Sequence, residues 1–244
     1  MSLTSDLSYK RYGENSILIN WNMEVSPSLV DKIVSFKNQI LQEQQKRVQD
    51  FIVGYNSLLI VFKEHDLKFS EEVSYLNTLY SKLEVKLKSK YIWEIPVCYD
   101  EVFGFDLEQL SKQLHISSED LIKLHKKQLY TVHFIGFLPG FLYLGGLDKQ
   151  LHAQRKSTPL LKVPKGAVAI GGEQTGIYPN ESAGGWHIIG RTPINFFNVN
   201  QDIPCFAKAG DKIQFKEINQ DEFTVVERKV AEGSYVLQKT EMHD

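Results

Sequence analysis

The sequence predicts an α+β N-terminal domain, an antiparallel sheet carrying two helices, followed by an all-β barrel domain. Three observations carry this prediction. Residues 7–99 alternate short β-like runs with two amphipathic helical patterns, and helical spacing stops at about Leu129. Beyond that point short β-rich runs alternate with turns, and eleven of the chain's 16 glycines fall between His133 and Pro193. The resulting organisation is 1–99 for the α+β domain, 100–129 for a helical connector and 130–244 for the barrel.

Leu7–Tyr12 and Ser16–Trp21 read as strands joined through a Gly13-Glu14-Asn15 turn. Ser26 before Pro27 places a cap ahead of a first-turn proline, and Leu29, Ile33, Phe36 and Ile40 then recur at helical spacing. Phe51–Tyr55 and Leu58–Phe62 are the next strands. Ser70, with Glu71 and Glu72, opens a second helix whose stripe is Val73, Leu76, Leu79, Leu83 and Leu87. A strand over Tyr91–Tyr99 closes the N-terminal set. Asp106–Leu114 and Ser118–Leu129 are connector helices, the second capped at Ser117–Asp120. The barrel strands are read at Tyr130–Phe134, Ala167–Ile170, His187–Ile189, Ile194–Val199, Lys212–Lys216 and Glu222–Arg228.

Composition excludes several function classes. With 244 residues, 42% of them hydrophobic and 24% charged, the chain has the make-up of a globular protein with room for two cores. A net charge of −2 gives no electrostatic reason for a nucleic-acid or anionic-membrane partner. The longest apolar runs are too short or too glycine-broken to span a bilayer, and the N-terminus lacks a basic-then-apolar pattern, so a cytoplasmic protein is expected. Cys98 and Cys205 cannot make a disulfide framework or a four-thiolate metal site, and both are expected as buried thiols; no metal site is expected. GxxxxGK[ST], HExxH and GxSxG are all missing. His115 and His125 are read as solvated or capping residues on the connector helices.

The functional signal lies in the tract from His133 to Pro193, where polar groups stand between closely spaced glycines. His133 precedes GFLPGF (136–141): it is either a barrel-lining histidine with a backbone partner or a pocket group able to move a proton near neutral pH. Arg155 and Arg191 offer guanidinium forks for a carboxylate or phosphate, although Arg155 reads equally as a loop charge beside Lys156. Phe137 and Phe141 read as core packing. Tyr178 and Trp186 are placed to wall an apolar pocket. Gln174 and Thr192 add polar groups beside Gly171, Gly172 and Gly185.

Taken in order, His133, GFLPGFLYLGG (136–146), Arg155, VPKGAVAIGG (163–172), QTGIYP (174–179) and SAGGWHIIGRTP (182–193) resemble the family of bacterial 5-oxoprolinase B subunits, also known as allophanate hydrolase subunit 1 and as sporulation kinase A inhibitor. The resemblance covers roughly residues 7–240. It departs from the family pattern at Leu160, where an arginine is usual, which removes one candidate anion contact. It implies a cyclophilin-like barrel behind a small α+β domain, and a working complex with the C subunit (allophanate hydrolase subunit 2-like) and the A subunit of 5-oxoprolinase. The implied activity is ATP-dependent opening of 5-oxoproline to glutamate, with ATP as co-substrate of the complex. In that scheme His133, Gln174 and Arg191 serve the chemistry, while Arg155, Tyr178, Trp186, Thr192, Gly171, Gly172 and Gly185 bind substrate. Two alternatives stand beside it: an inhibitor that docks on a sporulation histidine kinase, and part of an enzyme for allophanate or another urea-derived amide.

Overall fold

In the computed structural model, which describes residues 6–85 and 90–242, the first unit is a four-stranded antiparallel sheet backed by two helices. Strands β1 (Leu7–Arg11) and β2 (Ser16–Trp21) form a hairpin, helix α1 (Pro27–Gln44) follows, and β3 (Val48–Val53), β4 (Ser57–Phe62) and helix α2 (Phe69–Tyr80) complete the order β1-β2-β4-β3. Ser26 caps α1 as its place before Pro27 requires, its Oγ accepting the Leu29 N–H at 3.2 Å. The helical stripe Leu29, Ile33, Phe36 and Ile40 is fully buried against Ile17, Ile19, Leu58 and Ile60, the inward alternation of β2 and β4. The second helix begins one residue before Ser70, with Lys68 at its cap and no side-chain cap bond. Glu72, expected only as a first-turn acid, is buried and takes hydrogen bonds from Gln44 at 2.8 Å and Arg47 at 3.0 Å. Leu87 lies outside the described residues.

The second unit, Ser89–Asp244, holds β5 (Lys90–Val97), α3 (Leu107–Leu114), α4 (Ser118–Lys127), β6 (Leu129–Ile135), β7 (Leu142–Gly145), β8 (Leu160–Val163), β9 (Ala167–Gly171), β10 (Gln174–Ile177), β11 (Ser182–Gly184), β12 (His187–Arg191), β13 (Lys212–Glu217), α5 (Gln220–Ala231) and β14 (Lys239–Met242). Eight of these strands form one mixed sheet in the order β12-β9-β10-β7-β6-β13-β5-β14, and β8 pairs with β11 as a separate flap. The large core lies on one face of the sheet, under α3 and α4, and includes Ile95, Val132, Leu144, Ile170, Ile177 and Ile213.

Four expectations are corrected here. The strand read over Tyr91–Tyr99 does not close the N-terminal sheet: as β5 it runs parallel to β13, Ile95 opposite Phe215, inside the second unit. Glu222–Arg228 is not a strand but the middle of α5. There Asn219 and Glu222 form a reciprocal capping box, and Phe223, Val226 and Val230 supply a helical stripe that outweighs the β-branched residues. Ile194–Val199 has no strand pairing, since Pro193 and the Asn198–Pro204 turn interrupt it. The second unit is not all-β: its mixed sheet carries the helices α3, α4 and α5. Its edge β12 meets the end of β5 through one bridge, in which the Cys98 and Arg191 amides each donate to the other's carbonyl at 2.9 Å.

Candidate functional site

Side-chain alternation gives the strands of the β12 end two chemically different faces. Val168, Ile170, Leu142, Leu144 and Ile177 point into the large core. Ala167, Ala169, Phe141, Tyr178, Ile188 and Trp186 form a second, smaller apolar cluster on the opposite face. A cleft of about 220 Å³ opens on that face, lined by Phe137, Phe141, Tyr143, Arg155, Lys156, Pro159, Tyr178, Gly184, Gly185 and Trp186.

The cleft exists because small residues leave room for large ones. A Cβ at Gly171 would overlap the Trp186 indole, so only glycine there lets the indole lie on the sheet. Trp186 and Tyr178 each meet Phe141 edge-to-face, with centroids 5.7 and 5.2 Å apart. Arg155 is exposed and holds its guanidinium 5.7 Å from the Trp186 ring centre, a cation–π contact that leaves its N–H fork open to a ligand. Burial pushes the Tyr143 and Tyr178 phenols above their usual range, with Arg155 opposing the shift, so both stay neutral donors. Phe137 forms the outer lip; it is 66% exposed and sits at φ +66°, a left-handed conformation that costs a bulky residue about 1–2 kcal/mol.

His133 and Gln174 do not line the cleft but share its face of the sheet. The register of β6 on β7 shifts between Val132 and Phe134, so His133 is the extra residue of a bulge. The bulge turns His133 and Phe134 to one side: the His133 imidazole lies over Gly145, where a Cβ would collide with it, and Phe134 stacks on Tyr143 at 4.2 Å. Burial, then the nearby Lys212 charge, lowers the His133 pKa, which keeps the ring neutral. Gln174 begins β10 opposite Gly171 and alternates onto the same side as Gly176, whose α-carbon faces Trp186 and Phe141. Gly172 turns this hairpin at φ +67°.

The structure separates the remaining sequence candidates from the cleft. Arg191 lies at the sheet seam: its Nε donates to the Lys165 carbonyl at 2.9 Å, its guanidinium sits 5.8 and 5.6 Å from the Phe103 and Phe223 ring centres, and Glu227 is 3.9 Å away. Thr192 is a buried turn residue whose Oγ1 accepts the Ile194 N–H at 3.3 Å. Gly185 stays with the cleft, its carbonyl accepting the Lys156 N–H at 2.7 Å. Lys156, passed over as a neighbour of Arg155, is the second cation of the lining, and Asp106 holds it at 2.6 Å. Its adjacency to Arg155 was a signal; nothing local marks Asp106.

His125 also departs from expectation. It is fully buried, with Nδ1 2.9 Å from the Tyr99 hydroxyl and Nε2 2.9 Å from Thr175 Oγ1. Because Thr175 spends its proton on the Ala169 carbonyl, it accepts from Nε2–H, which leaves Nδ1 to accept from Tyr99. Burial drives this imidazole's pKa down to about 3. His115 is a helix end in the left-handed region at φ +57°, as a capping role requires. Cys98 is buried as expected, with its pKa raised to about 11 by burial, whereas Cys205 is only partly covered. Among the described residues, no three His, Cys, Asp or Glu side chains are placed to hold a metal ion. No helix among them is long and apolar enough to cross a membrane.

Comparison with known proteins places this architecture. Residues 7–207 match the family described as carboxyltransferase domain, subdomain C and D. The chain is 41% identical over 182 residues to the B subunit of 5-oxoprolinase from Haemophilus influenzae, covering 74% of this chain and 84% of that protein. It is 32% identical over 204 residues to the protein of the same name from Escherichia coli O157:H7, covering 83% of this chain and 92% of the relative. The crystal structure of K. lactis urea amidolyase superposes with a TM-score of 0.80 at 18% identity; the match covers 97% of this chain and 16% of that one, and shows a shared fold. The chain belongs to the family of 5-oxoprolinase B subunits, within the carboxyltransferase C and D subdomain group.

Proposed function

We propose that the chain is the B subunit of an ATP-dependent 5-oxoprolinase complex, and that its cleft binds the 5-oxoproline that the complex hydrolyses to glutamate. The observation that carries this reading is the Arg155–Trp186 pair over a glycine-relieved floor, with Tyr143 and Tyr178 alongside. A flat ring bearing one carboxylate fits such a site: the guanidinium fork takes the carboxylate, the aromatic walls take the ring, and a neutral phenol donates to the lactam carbonyl. A lactam is a resonance-stabilised amide. Transfer of the ATP γ-phosphoryl group to its carbonyl oxygen would release ADP and leave a carbon that one water attacks, the C–N bond breaking to give the free amine and an acyl phosphate, which a second water hydrolyses to the carboxylate and phosphate. His133 and Gln174, on the same face, are the groups we assign to the water or the carbonyl oxygen. We assign the ATP to the complex as a whole, which we take to include the A and C subunits.

Co-expression with the A and C subunits tests this reading. The expected result is co-elution at micromolar concentration and ATP hydrolysis that depends on 5-oxoproline; folded proteins that neither associate nor turn over would contradict it. A second reading, action on a urea-derived carboxylated amide, is favoured by a 22% identical match to the urea amidolyase of Lachancea kluyveri over 94% of this chain. Allophanate-dependent turnover in the same assay, with none from 5-oxoproline, would select that reading.

A further inference from the structure

We infer that Asp106 and Lys156 set the charge of the ligand: the cleft is built for a compound with one carboxylate, and Asp106 discriminates against a second. This rests on the reading of the cleft as a small-carboxylate site and adds the rule by which it selects.

Asp106 stands at the N-cap position of α3 yet makes no capping hydrogen bond. An aspartate there ordinarily caps its own helix. Its carboxylate instead accepts the Ile188 N–H at 2.8 Å and the Lys156 ammonium at 2.6 Å. The two side chains are only 8% and 17% exposed, so solvent screens the pair weakly. Lys156 therefore lines the cleft with its stem while its charge is turned back onto Asp106. Arg155 and Lys156 are the charged residues of the lining, since burial keeps the Tyr143 and Tyr178 phenols neutral. Asp106 cancels Lys156, which leaves the cleft with one uncompensated positive charge, on Arg155. One ligand carboxylate balances it. A second would bring an unpaired negative charge towards Asp106.

The rule makes the two halves of one ion pair respond in opposite directions. Asp106→Asn keeps an acceptor for the Ile188 N–H but frees the Lys156 charge, so dianions should bind better. Lys156→Met keeps the stem but strands the Asp106 charge, so every anion should bind worse. The measurement is an NMR titration of the Trp186 indole N–H, assigned from Trp186→Phe, with cyclopentanecarboxylate, glutarate and 5-oxoproline, beside thermal unfolding of each variant. In the wild type we expect cyclopentanecarboxylate to bind more tightly than glutarate. Asp106→Asn should improve glutarate about tenfold relative to cyclopentanecarboxylate, and Lys156→Met should weaken both, again about tenfold. Both variants moving affinity in the same direction would overturn the inference, because that is what loss of a purely structural ion pair does. So would a wild-type protein that prefers glutarate, or a Trp186 signal that no anion moves. If 5-oxoproline binds no better than cyclopentanecarboxylate, the lactam reading fails while the other two probes still decide the charge rule.

Discussion

The two faces of the large sheet use the same strands for opposite purposes. On the core face the polar groups around His125 are saturated: His125 spends both ring nitrogens on Tyr99 and Thr175, and Tyr130 donates its hydroxyl to the His125 carbonyl at 2.8 Å. On the other face, glycines at 145 and 171 let His133 and Trp186 lie against the backbone, and Arg155 stands open to solvent. One face is closed chemistry and the other is open. A polar residue in a glycine-rich sheet thus acquires its role from the side it faces more than from its type.

The core face should produce the largest measurable effect, through acid. The His125 pKa falls from 6.5 to about 3 on folding because burial disfavours its charged form. The unfolded chain therefore binds the extra proton, so this contribution is complete above about pH 6.5 and is lost as pH falls towards 3, in total about 4–5 kcal/mol. Unfolding free energies of wild type and His125→Gln between pH 4 and 6.5 should differ in slope by nearly one proton. Equal slopes would mean that His125 is not the closed group described here, and the contrast between the faces would weaken.

On the open face, Gly145→Ala sharpens the comparison. The added methyl must displace the His133 ring, and overpacking of this kind costs about 1–3 kcal/mol. In an active complex we expect kcat to fall while the KM for 5-oxoproline holds, since the cleft lining is untouched. Unchanged turnover and melting temperature would remove His133 from the chemistry.

Much of the fold was legible because it is local. Ser26-Pro27 and the Leu29–Ile40 stripe fixed α1, and strict alternation fixed β2 and β4. The pairing of β5 with β13 was not legible, because parallel strands joined across more than a hundred residues leave no mark in either segment. Helix α5 could have been found: Asn219-x-x-Glu222 is a capping box, outvoted by Thr224, Val225 and Val226. His125 was likewise readable as core, four residues after Leu121 on the inward stripe of α4. The candidate site divided differently. Arg155, Tyr178, Trp186 and Gly185 come together at the cleft, and His133 and Gln174 share its face. Arg191, in an equally glycine-rich setting, went to the seam. Nothing in a glycine-flanked arginine says which way the sheet curls.

The central claim, that the open face around Arg155 recognises the substrate while Arg191 only holds the seam, is tested most directly by one substitution made at both positions. Lysine keeps the charge and loses the planar fork. The account predicts that Arg155→Lys in the reconstituted complex loses about 2–4 kcal/mol of transition-state stabilisation in 5-oxoproline-dependent ATP hydrolysis, with its melting temperature unchanged. Arg191→Lys should lower the melting temperature and leave turnover of the folded protein near normal. The reverse pattern, an active Arg155→Lys complex beside a stable but inactive Arg191→Lys one, would contradict it.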